Sequence, residues 1–297
     1  MSTVLRPGGF EPVAAGCLRA VVPSPWPPGS VAVFLIESAG DWLVDAGAGT
    51  SGSVEALRLA LGGALGPEGR LSGLILTHSH LDHAGGLEAL APDVVVAHRD
   101  TAEAFQADEG TRASRPFVTV EGKSGSVPGA PGWEWVLGEG HAPGNLLLWR
   151  PESGTLLAGD QFLLGLKTPL RIADPAADSF GGYLETLDRV AGLQPAVILT
   201  SHTESIQDPA AWIDRERRRL SRQLDRARKA VRSGARTAEE VTAAAYRSIP
   251  GAGARELLTR ELLAALRHLA MEGEIRRVLA NGQETFEAYP APNLRST

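Results

Sequence analysis

The sequence predicts an α/β (α+β) sandwich followed by a small winged-helix-like domain, and three observations carry that expectation. Short runs rich in Val, Ile and Leu recur through the first 200 residues, bounded by Gly, Pro, Asp and Asn, the punctuation of strands. Helical patterns fill only some of the gaps between them, so strands neighbour strands as well as helices. Beyond about residue 208 the strand signal stops, and helices followed by a hairpin take its place.

The strand runs are Val31–Ile36, Trp42–Val44, Leu74–Leu76, Val94–Ala97, Trp133–Leu137, Leu146–Trp149, Leu156–Ala158 and Val197–Leu199. Val54, Leu57, Leu59 and Leu61 follow a Ser/Thr-rich cap region and predict the first helix, and Tyr183–Val190 has helical spacing again. From Pro209 to Ala235, Ile213, Leu220, Leu224, Ala227 and Val231 form a narrow apolar stripe on one long helix. Between Arg215 and Arg236 its other faces and end carry nine Arg and one Lys against Asp214, Glu216 and Asp225. Thr237-Ala-Glu-Glu240 reads as a capping box, which opens the next helix. Leu257, Leu258, Leu262, Leu263, Leu266 and Leu269 line a further helix over Glu256–Met271. Ile275–Ala280 and Glu284–Tyr289 flank Asn281-Gly282, a strong hairpin signal. The expected division is therefore 1–210 for the sandwich, 211–235 for a basic connecting helix and 236–297 for a winged-helix-like domain.

Composition narrows the function classes. The 297 residues carry 29 Lys+Arg against 35 Asp+Glu, a net charge of −6, with 43% hydrophobic residues. No apolar run approaches the roughly 18 residues of a membrane span, so no membrane partner is expected. MSTVLRPGGF has one basic residue and no apolar core of a secretory signal. The single cysteine, Cys17, provides no internal disulfide and no thiolate cluster, so a cytoplasmic location is expected. Arg outnumbers Lys 26 to 3, which reflects codon usage rather than chemistry.

The chemical signal is Thr77-His78-Ser79-His80-Leu81-Asp82-His83, which holds three of the seven histidines. At this chain's residue frequencies, H-x-H-x-D-H arises by accident on the order of once in several thousand such chains. It follows a short apolar strand, where side chains of an α/β sheet converge on a ligand. On extended chain His78 and His80 point to the same side and can share one metal. Asp82 and His83, adjacent where a helix begins, can reach a second. Three more donors each follow an apolar strand run: His141, Asp160 and His202. Imidazole and carboxylate without thiolate suit zinc, with manganese or iron next.

These residues resemble a known family. Thr77–Gly86, THSHLDHAGG, is similar to the defining motif of the metallo-β-lactamase superfamily, an αββα sandwich with a dinuclear metal site. Leu43-Val-Asp-Ala-Gly47 resembles its early Asp motif, Gly140-His-Ala-Pro-Gly-Asn145 its G-H-T-x-G-[HN] block, Ala158-Gly-Asp160 its bridging aspartate and Ser201-His-Thr203 its final G-H-G. The likeness covers roughly residues 15–205. With the basic helix and the tail it is greatest to the β-lactamase-like protein 2 group, which includes an endoribonuclease; the wider superfamily includes thioesterases. The resemblance implies that His78, His80 and His141 hold one of two zinc ions, that Asp82, His83 and His202 hold the other, and that Asp160 bridges them. Asp45 would orient a ligand histidine. Ala142 stands where the family has Thr, and Ser201 and Thr203 stand where two glycines allow a tight turn.

Two cations sharing a water lower its pKa and supply hydroxide at neutral pH to attack a carbonyl carbon or phosphorus, with Asp82 as the proton acceptor. Three functions compete: a zinc hydrolase of a small ester, thioester or lactone; a metal-dependent endoribonuclease of single-stranded RNA; and a non-enzymatic winged-helix regulator. Charge disfavours RNA, because residues 1–212 total −12 and residues 237–297 total −1. On the helix expected to enter a groove, Arg255, Arg260 and Arg267 are matched by Glu256, Glu261 and Glu272. The tail is read instead as a packing, lid or homodimer element. Lys167, Arg171 and Tyr183 are candidate substrate contacts. His98 and His268 are read as capping or structural.

Overall fold

The computed structural model describes residues 4–66, 69–107, 116–280 and 282–289. In chain order the first elements are β1 (Gly8–Ala14), β2 (Cys17–Pro23), β3 (Ser30–Glu37), β4 (Asp41–Val44), α1 (Ser51–Leu65), β5 (Gly73–Ile75), α2 (Leu81–Ala84), α3 (Leu87–Leu90), β6 (Val95–His98), α4 (Arg99–Ala107) and β7 (Val118–Val120). Then come β8 (Ser124–Ser126), β9 (Glu134–Gly138), β10 (Asn145–Arg150), β11 (Thr155–Leu157), α5 (Ser179–Leu193) and β12 (Val197–Leu199). The tail supplies α6 (Pro209–Arg232), α7 (Ala238–Ala245), α8 (Gly251–Met271), β13 (Ile275–Ala280) and β14 (Gln283–Ala288).

The first seven strands form one sheet in sequence order, and β12-β11-β10-β9-β8 form a second. The alternation of strand side chains explains why two sheets pack face to face. Along β3, Ala32, Phe34 and Ile36 join Trp135, Leu146, Leu148, Leu157 and Leu199 of the second sheet in one core. Val31 and Val33 point the other way and pack with Leu43, Leu74 and Leu76 against Leu57 of α1 and Phe105 of α4. Buried on both faces, β3 is almost continuously apolar, which is why its sequence signal is strong.

Four strands, β1, β2, β7 and β8, escaped the sequence reading. β1 carries Gly8, Gly9 and Pro12 at the sheet's edge with an irregular register, while β7 and β8 are three residues each and largely exposed. α4 also went unread, because its buried face amounts to Thr101, Ala102 and Phe105.

Two compact units emerge. One comprises the chain up to Thr168 with Asp188–Trp212; the other comprises Pro169–Leu187 with the chain from Ile213 onward. Pro169–Leu187, which precedes the expected boundary at 210, groups with the second unit: Arg267 donates to the Ile172 carbonyl (2.7 Å), and His268 meets Asp178 (2.9 Å) and stacks on Phe180. These contacts tie that segment to α8.

Within the second unit the α6 stripe of Ile213, Leu220, Leu224, Ala227 and Val231 is buried. Thr237 and Glu240 make the capping box that starts α7, worth about 1 kcal/mol for the cap alone. β13 pairs antiparallel with β14; of the hairpin signal, Asn281 lies outside the described residues. α8 starts at Gly251, five residues before the expected Glu256. Two of its charges are not on a wet face. Glu261 and Arg267 are buried, with Arg267 forked onto Glu284 and Arg219 reaching towards Glu261 at 3.8 Å.

Candidate metal centre

The expected donors lie in loops next to strands of the first unit or on the short helix that follows β5, and the topology puts those places together. β4, β5 and β6 run parallel, so Asp45 and His78 leave neighbouring strands at the same edge. β11 and β12 run parallel, so Asp160 and His202 leave the second sheet side by side. β9 and β10 run antiparallel, and their connection carries His141. α2, capped by His80, carries Asp82 and His83. Gly86 lets this turn approach the loop after β4: a Cβ there would sit 2.1 Å from the Ala46 carbonyl oxygen.

The donors fall into two groups, His78, His80, His141 and Asp160 in one, and Asp82, His83, Asp160 and His202 in the other. In each group the ligand atoms lie within 4.8 Å of one another. In the first, His78 Nε2 is 3.0 Å from His80 Nδ1 and 3.3 Å from His141 Nε2, and His141 Nε2 is 3.1 Å from His80 Nδ1. A tetrahedral ion bound at about 2.0–2.1 Å holds its ligand atoms about 3.3–3.4 Å apart, so this triangle has the size of one tetrahedral face. In the second group His202 Nε2 is 3.3 Å from Asp82 and 3.2 Å from Asp160 Oδ1, and His83 Nε2 is 3.3 Å from the same oxygen. Asp160 faces both groups: Oδ1 towards His83 and His202, Oδ2 towards His141 at 3.6 Å.

Contacts behind the donors fix which nitrogen each imidazole presents. Asp45 accepts from the Thr77 amide (2.8 Å) and the Thr77 hydroxyl, and it meets His83 Nδ1 at 2.8 Å. With its hydroxyl hydrogen on Asp45, Thr77 can accept from His78 Nδ1 at 3.0 Å. Ser30 accepts from His202 Nδ1 through its carbonyl at 2.7 Å. His78, His83 and His202 thereby turn Nε2 towards the site. Asp45 sits at φ +64, a left-handed conformation that Asp tolerates better than most residues. Asp45→Asn removes the charge and turns one of the two accepting oxygens into a donor, so Thr77 and His83 can no longer both be accepted as before. Zinc affinity of the group containing His83 should fall about 10–100-fold, measured by competition with a chromophoric chelator; unchanged affinity would remove the orienting role.

The residue types fit a cation better than they fit one another. Buried His83 Nε2 and Asp160 Oδ1 have no hydrogen-bond partner among the described residues, an expensive condition for polar atoms without a ligand. Burial and the neighbouring imidazoles push His78 well below the usual imidazole value and His80 down to about 4. In the other group burial disfavours charge, but Asp160 and Asp45 outweigh it and hold His83 well above that value, and Asp160 and Asp82 hold His202 up to about 9. Burial likewise opposes the ionised carboxylates, but His83 and His202 keep Asp160 well below the carboxylate range, and His202 and His83 keep Asp82 below it.

These two donor sets, strung along the sequence in this order, decide the kinship. The sequence model of the metallo-beta-lactamase superfamily matches residues 26–202. The chain belongs to the metallo-β-lactamase superfamily. Among curated relatives, Probable metallo-hydrolase YqjP of Bacillus subtilis is 25% identical over 234 residues, 65% of this chain and 73% of that protein. Lactamase-like protein notP of an Aspergillus species is 28% identical over 219 residues, 69% of this chain and 64% of that protein. A β-lactamase domain protein of Burkholderia ambifaria has the same fold, with a TM-score of 0.80 at 19% identity over 96% of this chain and 95% of that one. A metallo-β-lactamase family protein of Thermus thermophilus matches with a TM-score of 0.71 at 24% identity over 93% of this chain and 99% of that one.

The departure from the superfamily motif around His202 has a structural account. Ser201 and Thr203, in place of glycines, take no positive φ. They are held by Ser201 N to the Gly159 carbonyl (3.2 Å) and Thr203 N to the Thr200 hydroxyl (3.2 Å), so the turn around His202 does not need glycine. Ala142 is buried.

The remaining candidates lie outside the donor groups. His98 accepts from the Asp100 amide at 3.2 Å at the start of α4. Lys167 is half-buried on the loop after Asp160, and Arg171 belongs to the second unit. Tyr183 is 1% exposed and donates to Glu216 (3.3 Å) inside the second unit, so it packs there instead of reaching a pocket. Sequence reasoning missed Thr77 and Ser30: a hydroxyl next to a histidine is too common to be a signal, and a carbonyl contact leaves none.

Proposed function

We propose that this protein is a dinuclear-zinc hydrolase of a small ester, thioester or lactone. The observation that carries the proposal is the single carboxylate of Asp160, which turns one oxygen to each of two histidine groups. His78, His80 and His141 would hold one ion, Asp82, His83 and His202 the other, and Asp160 both. Zinc, or manganese or iron in its place, supplies a water of depressed pKa and polarisation of the scissile carbonyl. The protein's own groups keep three imidazoles in one tautomer through Asp45, Thr77 and Ser30. His80 is exposed and Asp82 half-buried, so the centre is open on their side. Asp82 is the carboxylate placed to take up the nucleophile's proton at an oxygen not engaged by His202.

Two features favour an acyl substrate over RNA. The chain up to residue 212 carries a net charge of −12, which repels a polyanion. In the α7–α8–β13–β14 unit, which we read as winged-helix-like, Arg267 is buried in an ion pair with Glu284 and so is not available to a phosphate. Among the described residues no helix is long and apolar enough to cross a membrane. The relatives' name, metallo-hydrolase, agrees with this reading. The test is paired: turnover of an aryl ester and an acyl thioester, and cleavage of a single-stranded RNA, each with and without chelator. Chelator-sensitive acyl turnover with intact RNA is expected; the reverse pattern overturns the assignment.

A further inference from the structure

Gln161 follows the bridging carboxylate directly, and its side chain is fully buried. Its amide oxygen accepts from Asn145 Nδ2 at 3.0 Å, and its amide nitrogen donates to the Glu139 carbonyl at 2.6 Å. Residues 139 and 145 bracket His141, so one side chain grips both feet of the loop that carries this histidine. The main chain of Gln161 is fixed in turn: its amide donates to the Ala158 carbonyl (3.0 Å), and its carbonyl accepts from the Thr168 hydroxyl (2.9 Å). Asn145 is also fully buried and opens β10, whose next residue, Leu146, donates to the Thr77 carbonyl (2.7 Å) beside His78.

We infer that Gln161 is a positioning residue that sets the reach of His141 relative to Asp160 and so governs ion binding in the first donor group; this rests on the metal reading above. Burying two carboxamides is unfavourable unless they are hydrogen-bonded. Packing alone is served as well by apolar side chains of similar volume. What the amide adds is direction and fixed length: two hydrogen bonds from one rigid group hold the loop ends, and metal sites tolerate displacements of only about 0.5 Å in their donors. The sequence motif ends at Asp160 and gave no reason to look one residue further.

The experiment is zinc titration of the full-length, metal-stripped protein against a competing chelator, for wild type, Gln161→Leu, Asn145→Leu and the double variant. Thermal unfolding of each metal-free protein is measured alongside. Gln161→Leu should weaken the equivalent bound by the His141 group about 10–100-fold, the range for groups that orient ligands. The equivalent bound by the His202 group should be unchanged. Because Asn145 acts on the loop through Gln161, the double variant should lose little more than Gln161→Leu alone. Wild-type affinity in Gln161→Leu overturns the inference. So does equal weakening of both equivalents in step with a lowered unfolding temperature of the metal-free protein, the signature of packing alone. A wild-type protein that binds no zinc overturns the proposed function itself, and this inference with it.

Discussion

Asp160→Ala should reduce acyl turnover to the background rate while leaving the fold intact. Among the described residues no other belongs to both donor groups, and its two oxygens face different histidines. Removing it takes a ligand from each ion at once and takes away the negative charge that stabilises two cations side by side. Metal content should fall with activity, to one equivalent or less, while far-UV circular dichroism stays that of the wild type. The side chain lies just past the end of β11, beside His83, His141 and His202. Wild-type turnover in Asp160→Ala would eliminate the bridging role.

The second zinc equivalent should respond to acid far more strongly than the first. A proton and a metal ion compete for the same imidazole lone pair, so a ligand that is already neutral gives up nothing on binding. Burial and the neighbouring imidazoles hold His80 down to about 4 and His78 well below its usual value, so these two ligands bind without proton release at neutral pH. His202 keeps its proton up to about 9, and His83 is also held protonated, by Asp160 and Asp45 against the effect of burial. The sign follows: raising the pH from 6 towards 9 leaves the first affinity flat and strengthens the second, by about tenfold per pH unit for each proton displaced. Prior loading of the first ion moves the plateau to lower pH without changing the direction of the slope. Titrations at several pH values in a non-coordinating buffer check this. Equal slopes for the two equivalents would contradict it.

Legibility in the sequence followed burial and chemistry. β3 could be read because Ala32, Phe34 and Ile36 face one core while Val31 and Val33 face the other, leaving no polar side. β1 could not, since an edge strand with Gly8, Gly9 and Pro12 resembles a loop. The gathering of the seven donors could be read because imidazoles are rare and each stood at the end of an apolar run. The groups behind them could not. Ser30 acts through its carbonyl, which any residue would supply, and Gln161 acts through an amide common on any surface. Nor does linear sequence reveal that Pro169–Leu187 groups with a tail that begins at Ile213, for which Arg267 and His268 had to be seen reaching back. Those same residues show why a charge census of a helix misleads: Arg267 and Glu261 count in the sum but not on the surface.

The central claim is most directly tested by anomalous scattering at the zinc edge from crystals of the zinc-loaded protein. Two peaks about 3.5–4 Å apart are expected, one enclosed by His78, His80 and His141, the other by Asp82, His83 and His202, with Asp160 between them. A single peak, or density away from Asp160, would contradict the account.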